Sequence, residues 1–299
     1  MLISCCVNTF KRPEFLLNLL HSLEKQNIPV GYHLEVIVVD NDPQTTGKAS
    51  IEKAKLQTNL DLKYFTQPIK NISMTRNKAV KEASGELILF IDDDGVADQN
   101  WVQHMVSSLI KYEADGVFGT VLPYYHEECP EWIKSGDFFD RLIQASGEPT
   151  RFMRTGNCLI KASLLKSVEG PFDPKFGLSG GEDSNLFGKL KSKGAKFVFC
   201  KEGIVYDYVP LERANLNWLM KRRFRNGTTF VKNSIHRSKY KLVARLYYFT
   251  RSILFIFFST LTTLFFLGSK KKRIKWFLKV IAYSGHFAGV FDLTFNEYD

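Results

Sequence analysis

Five cysteines in 299 residues, at Cys5, Cys6, Cys129, Cys158 and Cys200, form no CxxC pair, which removes zinc ribbons and disulfide-stapled secreted domains from consideration. The first apolar run leads into VNTFKRP rather than a GxGxxG turn, and no GxxxxGK[ST] string occurs. Dinucleotide-dependent oxidoreduction and P-loop phosphoryl transfer therefore lose their main signatures. The six histidines, His21, His33, His104, His126, His236 and His286, stand apart from one another and take no role. There is no internal repeat, and no basic leader with a small-residue cleavage site precedes the alternating run at 2–7. No signal peptide is expected, and a reducing, cytosolic setting is.

Acidic residues are scarce in one part of the chain only. Lys and Arg number 41 against 31 Asp and Glu, a formal charge of +10, yet residues 201–299 alone hold 18 basic and 6 acidic residues. The front two thirds are slightly acidic, so the basic balance belongs to the tail. A nucleic-acid partner is not expected, because its footprint would put the positive charge around the front domain. With 44% hydrophobic residues the chain can bury a sizeable core.

Short Val- and Ile-rich runs at 2–7, 35–40, 62–65, 86–92 and 116–123 alternate with amphipathic stretches near 12–27, 48–58, 72–83 and 99–112. That rhythm predicts an α/β fold with a doubly wound, mostly parallel sheet, its ligands beyond the carboxyl ends of the strands. Farther on, the pattern predicts a strand at 155–161, a helix over 183–193, and a strand pair at 195–200 and 203–209.

Polar residues cluster where the fold would put a ligand. In LILFIDDDG, at 87–95, a strand delivers three carboxylates into a turn. Alternation sends Asp92 and Asp94 to one side and Asp93 elsewhere, an arrangement suited to Mg²⁺ or Mn²⁺ shared with a diphosphate. An acidic helix start before Asn100 is the plainer reading. VIVVDND, at 36–42, ends a second strand on Asp40 and Asp42, and GLSGGED, at 177–183, puts glycines before Glu182 and Asp183 at a helix start, where N–H groups favour anions.

The ordered set NTFKR, VVDN, TRN, LILFIDDD, TGN and GGED resembles family 2 glycosyltransferases of the GT-A fold over about residues 1–230. Within that family it is similar to bacterial enzymes that extend cell-surface polysaccharides, including the succinoglycan type. The resemblance implies inverting transfer of a sugar from a nucleotide-diphosphate donor, usually a UDP-sugar, with Mn²⁺ or Mg²⁺ as cofactor. It implies that Thr9, Phe10, Arg12, Asp40, Asp42, Arg76 and Asn77, with Asp92 and Asp93, attend the donor. Asp92 and Asp94 would hold the metal, Asp183 would be the general base, and Glu182 would orient the acceptor or the loop.

Two positions depart from the family pattern. Asp42-Pro43-Gln44 replaces the common Ser/Thr-rich turn, and VYDYVP stands where many members carry a histidine ligand. Asp207 or Tyr208 occupies that region, as a ligand or as packing. The resemblance divides the chain into a catalytic domain, 1–230, and a helical extension, 231–299. That extension carries SILFIFFSTLTTLFFLG at 252–268, bracketed by Arg251 and KKKRIK at 270–275. Its 17 uncharged residues lie at the short limit for a transmembrane span, and basic flanks at both ends suit a peripheral or re-entrant helix on the cytoplasmic leaflet of a bacterial inner membrane. A second run at 276–291 would pair with it as a hairpin. A Phe-rich interface in a homo-oligomer is the alternative. The expected partners are a nucleotide-sugar, a saccharide or lipid-linked acceptor and the membrane surface. A non-catalytic sugar-nucleotide or glycan-binding assembly protein is the competing function.

Overall fold

A computed structural model of the chain describes residues 1–178 and 180–293. It holds two compact units, Met1–Tyr124 with Asp140–Tyr208, and Tyr125–Phe139 with the chain from Val209 onward. The first unit contains β1 (Leu2–Thr9), α1 (Pro13–Glu24), β2 (His33–Asp40), α2 (Lys48–Gln57), β3 (Asp61–Thr66), α3 (Ile72–Glu82), β4 (Leu87–Asp92) and β5 (Gly95–Ala97). There follow α4 (Trp101–Lys111), β6 (Gly116–Tyr125), β7 (Asn157–Lys161), α6 (Ala162–Lys166), α7 (Glu182–Ser192) and β8 (Phe197–Val209), while α5 (Glu131–Lys134), between β6 and β7 in the chain, belongs to the second unit.

The strands make one sheet in the order β3-β2-β1-β4-β7-β6-β8-β5. Its parallel part is β3-β2-β1-β4, whereas β7 runs antiparallel to β4 and β6, and β5 antiparallel to β8. Strand alternation explains why helices cover both faces. Ile3, Cys5, Val7, Val36, Val38, Leu87 and Leu89 pack with Leu16 and Leu20 of α1, Ile51 of α2 and Trp101 of α4. Their neighbours Cys6, Ile37, Val39, Ile88 and Phe90 pack with Val80 of α3, Leu165 of α6 and Phe187 of α7. The GT-A architecture inferred from the motifs is the one observed. All five cysteines are buried free thiols, and Cys5, Cys6 and Cys158 serve as small apolar residues of this core.

Two strands expected at 195–200 and 203–209 are one, the 13-residue β8. Lys201 and Glu202, between the two expected strands, continue the one strand, and Gly203 beyond them is a close-packing position: a Cβ there would stand 2.5 Å from Met105 Sδ. Its carbonyl accepts from Asn157 Nδ2 at 2.8 Å.

The second unit is built on α8 (Leu216–Arg237), α9 (Lys241–Phe265) and α10 (Lys270–Val290), so residue 230 falls inside a helix. The basic run of α8 is engaged locally. Arg222 lies 5.6 Å from the ring centre of Trp218, which stacks on Phe139, and Arg223 donates to the Phe138 carbonyl at 3.1 Å. The expected hairpin is present: Phe249 meets Phe287, Phe255 meets Tyr283 and Phe258 meets Trp276, so α10 descends as α9 rises. Against α8, α10 runs parallel, and glycines let the backbones touch. A Cβ on Gly227 would lie 2.2 Å from Ala282 O, one on Gly285 2.1 Å from Phe224 O, and one on Gly289 2.7 Å from Thr228 O. The Thr228 hydroxyl donates to Gly285 O at 3.1 Å. This small-residue seam is the GxxxG type of helix contact.

A leucine at 285 must push the two helices apart, and overpacking of this kind costs about 1–3 kcal/mol. Gly285→Leu is expected to lower the thermal midpoint of the purified protein. Gly268→Ala, at a glycine with open space around it, should leave the midpoint unchanged.

Candidate active site

The acidic run ends β4 and turns into β5. Strand alternation stops at Asp93 and Asp94, which form the turn itself, and this changes the expected grouping. Asp93, 4% exposed, points inward and accepts from the Thr9 hydroxyl at 2.9 Å and from Arg12 Nη1 at 3.0 Å. The same Arg12 nitrogen donates to Asp94 Oδ2 at 2.9 Å. Asp93 and Asp94 thus share one guanidinium, whereas Asp92, its side chain 51% exposed, faces Arg76 Nη2 at 3.6 Å. Burial pushes the Asp93 carboxyl up to about 7 against the pull of Arg12, with Asp94 adding to the rise. Thr9 and Arg12, expected along the nucleotide, brace this turn.

Arg76 carries the second half of the site. It lies on α3, is 7% exposed, and sits with its guanidinium carbon 5.8 Å from the centre of the Phe172 ring. Nη1 is paired with Glu182 Oε1 while Nη2 faces Asp92. Gly180 and Gly181, at φ 75° and 95°, turn the chain into α7 through left-handed backbone that favours glycine; Ser179, in the same loop, lies outside the described residues. Glu182 and Asp183 then occupy the first turn. Glu182 is buried on Arg76, and burial raises its carboxyl against the attraction of that cation. Asp183 is half-buried, its Oδ1 accepting from Ser184 N at 2.6 Å. The buried Cys158 thiol registers how near these groups lie. Desolvation raises it far above its ordinary value, Arg76 opposes the rise, and Asp183 and Asp92 add to it.

Beyond β1, Lys11 has φ 55° and kinks the chain before α1. The ring of Phe10 lies between Lys11 Nζ at 5.4 Å and Lys70 Nζ at 5.7 Å, a cationic surround for an aromatic platform. Asp40 is fully buried. It accepts from Asp42 N, Gly47 N and the Tyr64 hydroxyl, each at 2.9 Å. Asp42 in turn accepts from Gln44 N at 3.2 Å. The departure Asp42-Pro43-Gln44 is therefore a self-closing Asx turn, and both carboxylates shape the loop. Asn77, expected to face the donor, spends its side chain on the Phe172 backbone, donating to its carbonyl at 2.8 Å and accepting from its N–H at 2.9 Å. Asn157 of TGN is likewise structural, accepting from Trp101 Nε1 at 2.8 Å.

The structure adds two residues that motif reading left unassigned or undecided. Asp207 stands opposite Gly95 in the β5–β8 ladder and pairs with Arg141 at 2.5 Å. The next residue, Tyr208, donates its N–H to Asp94 O at 3.1 Å. Strand β8 therefore flanks the acidic turn directly. Arg141 lies in the aperiodic segment before β7, where no pattern marks it. The sequence signal available for this pair was the lone acid in VYDYV. Among the described residues, no group of three or more His, Cys, Asp or Glu side chains is arranged to hold a metal.

The family model for glycosyl transferase family 2 matches residues 4–168. The succinoglycan biosynthesis protein ExoM of Rhizobium meliloti is 35% identical over 227 residues, covering 75% of this chain and 72% of that protein. The poly(ribitol-phosphate) beta-N-acetylglucosaminyltransferase TarS of Staphylococcus aureus is 26% identical over 216 residues, covering 68% of this chain and 36% of that one. Among solved structures, the mannosyltransferase PcManGT from Pyrobaculum calidifontis, in complex with GDP-Man and Mn²⁺, is similar with TM-score 0.66 at 15% identity, over 97% of this chain and 87% of that one. S. aureus TarS 1–349 in complex with UDP gives 0.56 at 16% identity, over 95% and 91%. At such identities the structural likeness speaks for the fold, while the family match spans more than half of the chain. The chain belongs to glycosyl transferase family 2 and is a glycosyltransferase of the GT-A fold.

Proposed function

We propose that the chain transfers a sugar from a nucleotide-diphosphate sugar, with UDP-sugars the first donors to try, to a saccharide acceptor in the synthesis of a cell-surface polysaccharide. The similarity to the succinoglycan biosynthesis protein supports the pathway class, and the UDP and GDP-Man complexes of its structural neighbours support the donor class. The observation that carries the reading is Arg76, whose guanidinium lies between Asp92 of the acidic turn and Glu182 at the start of α7. That bridge brings a donor-side carboxylate and the helix-start pair into one site.

The roles follow from exposure and charge. Glu182, buried on Arg76, holds the loop and cannot meet an acceptor, whereas Asp183 beside it is only half-buried. Asp183 removes the proton of the acceptor hydroxyl as its oxygen attacks the anomeric carbon. The bond to the diphosphate breaks on the opposite face with its electron pair, a single displacement that inverts the anomeric centre. Asp92 and Asp94 are hard-oxygen donors that would hold Mg²⁺ or Mn²⁺ once Asp94 turns from Arg12, since such ions take one or two carboxylates and complete their shell with water and substrate phosphates. Such an ion, when bound, neutralises charge on the leaving diphosphate. Phe10, with Lys11 and Lys70 around it, offers the base a stacking face, and Asp40 and Asp42 hold the adjoining loop.

The acceptor is proposed to be lipid-linked, reached at the cytoplasmic leaflet of the inner membrane. Among the described residues α9 is the one helix long and apolar enough to cross a membrane, with mean hydropathy 1.3 and 11% of its apolar window buried. Leu254, Phe257, Phe258 and Leu261 are among its exposed side chains, and Lys270, Lys271, Lys272 and Arg273 open the next helix. This pattern supports an amphipathic helix lying on an anionic surface.

Asp183→Asn is expected to reduce transfer by about 10²–10⁴-fold, the usual weight of a general base, while donor affinity by calorimetry stays close to wild type. Asp92→Ala and Asp94→Ala should weaken nucleotide binding in Mn²⁺ and erase the difference between Mn²⁺ and a chelator. A panel of UDP-, GDP- and dTDP-sugars with a lipid-linked saccharide, read by released nucleotide and acceptor mass, tests the activity; no transfer from any donor would overturn it. Full-length protein is expected to sediment with anionic liposomes. Recovery in the soluble fraction without detergent, together with no liposome binding, would sink the membrane reading.

A further inference from the structure

Arg141 and Asp207 take no part in the roles assigned above, yet they stand at the edge of the same acidic turn. A Cβ built on Gly156 would lie 2.7 Å from Asp92 Oδ2 and 3.7 Å from Arg141 Nη1, so the exposed donor-side carboxylate and this guanidinium approach the same point. Gly156 has no side chain to come between them. Asp207, paired with Arg141, faces the turn across the β5–β8 ladder at Gly95.

Charge accounting shows why a further cation matters. Around the turn, Asp92, Asp93, Asp94 and Glu182 are set against Arg12 and Arg76. Both arginines are bound into the fold: Arg12 is shared by two carboxylates, and Arg76 is buried on Glu182. A diphosphate entering this site meets Asp92 and Asp94 with both arginines already committed, and the leaving group gains negative charge as the glycosidic bond breaks. A divalent ion offsets part of this. Arg141 differs from the other two. Its side chain is 30% exposed, its partner Asp207 is 29% exposed, and it lies in a segment without helix or strand between α5 and β7. Half-exposed ion pairs are worth about 0–1 kcal/mol, so an incoming phosphoryl group with two or three non-bridging oxygens outcompetes the single carboxylate for a bidentate guanidinium.

We propose that Arg141 is a phosphate-binding residue that exchanges Asp207 for the β-phosphate of the leaving nucleoside diphosphate, and that Asp207 holds the guanidinium ready until the donor arrives. The proposal rests on the nucleotide-sugar reading, and its test separates the two. Binding of UDP and of UMP is measured by calorimetry in Mg²⁺ for the wild type, Arg141→Gln and Asp207→Asn. For Arg141→Gln the expected result is a loss of about tenfold or more in UDP affinity, with UMP affinity little changed, so that the UDP-to-UMP preference collapses. For Asp207→Asn, which removes the competing carboxylate and leaves Arg141 in place, UDP affinity should hold or rise. A role confined to structure predicts the opposite for Asp207→Asn, a fall in UDP and UMP affinity together, and that result overturns the proposal. An Arg141→Gln protein whose UDP-to-UMP preference equals wild type also overturns it, including the case in which only the acceptor KM rises. If wild type binds no nucleoside diphosphate across UDP, GDP and dTDP, the donor reading itself fails, and this inference falls with it.

Discussion

A guanidinium removed from water and held between carboxylates from two distant parts of the chain governs the catalytic unit. Arg76 comes from α3, Asp92 from the tip of β4, and Glu182 from the first turn of α7. Taking such a cation out of water is costly unless its partners stay in place, and deleting one partner of a buried pair costs about 3–5 kcal/mol. That is a large share of the roughly 5–15 kcal/mol that holds a domain together. Stability and the geometry of the candidate site are thus tied to one side chain. Phe172 supports it from the ring face, and Asn77, one residue along α3, fastens the Phe172 backbone. The TRN segment therefore works as a clamp. Its arginine joins the carboxylates and its asparagine secures the loop that packs on the arginine.

Much of this was legible because the physics is local. Apolar runs of period two, separated by amphipathic stretches, mark the parallel strands and the helices on both faces, and the acids at the strand ends follow from where a parallel sheet opens to solvent. What stayed hidden depended on turns and on long-range contact. Asp93 and Asp94 converge on Arg12 because the strand stops after Asp92, and an alternation argument cannot see that stop. Lys201 and Glu202 read as a gap between two strands, yet β8 runs through them and Gly203 lets it pass close to Met105. Asp40 and Asp42 carry the motif's acidic signature, while their oxygens close the loop from Asp40 to Gly47. Arg141 had no signal of its own, since its meaning comes from a strand more than sixty positions away.

The second unit obeys a different constraint. Its α8 and α10 are held at backbone distance by Gly227, Gly285 and Gly289, so their spacing does not depend on how side chains settle. Helix α9 touches its neighbour through aromatic rings on one side, and much of its apolar surface is exposed. Apolar residues alone would have grouped α9 and α10 as equivalent halves of a hairpin. The glycines distinguish them, because α10 is fitted to α8 whereas α9 keeps an apolar surface uncovered.

That difference has a temporal side. Synthesis proceeds from the amino terminus, so α9 leaves the ribosome before the glycine-bearing face of α10 exists. For that interval α8 lacks the helix that fits its seam, and α9 lacks the rings of Tyr283 and Phe287 that cover one of its sides. Transiently exposed apolar surface of this kind is aggregation-prone and is what chaperones cover during synthesis. The order of the helices along the chain thus leaves the apolar surface of α9 uncovered until α10 has been made.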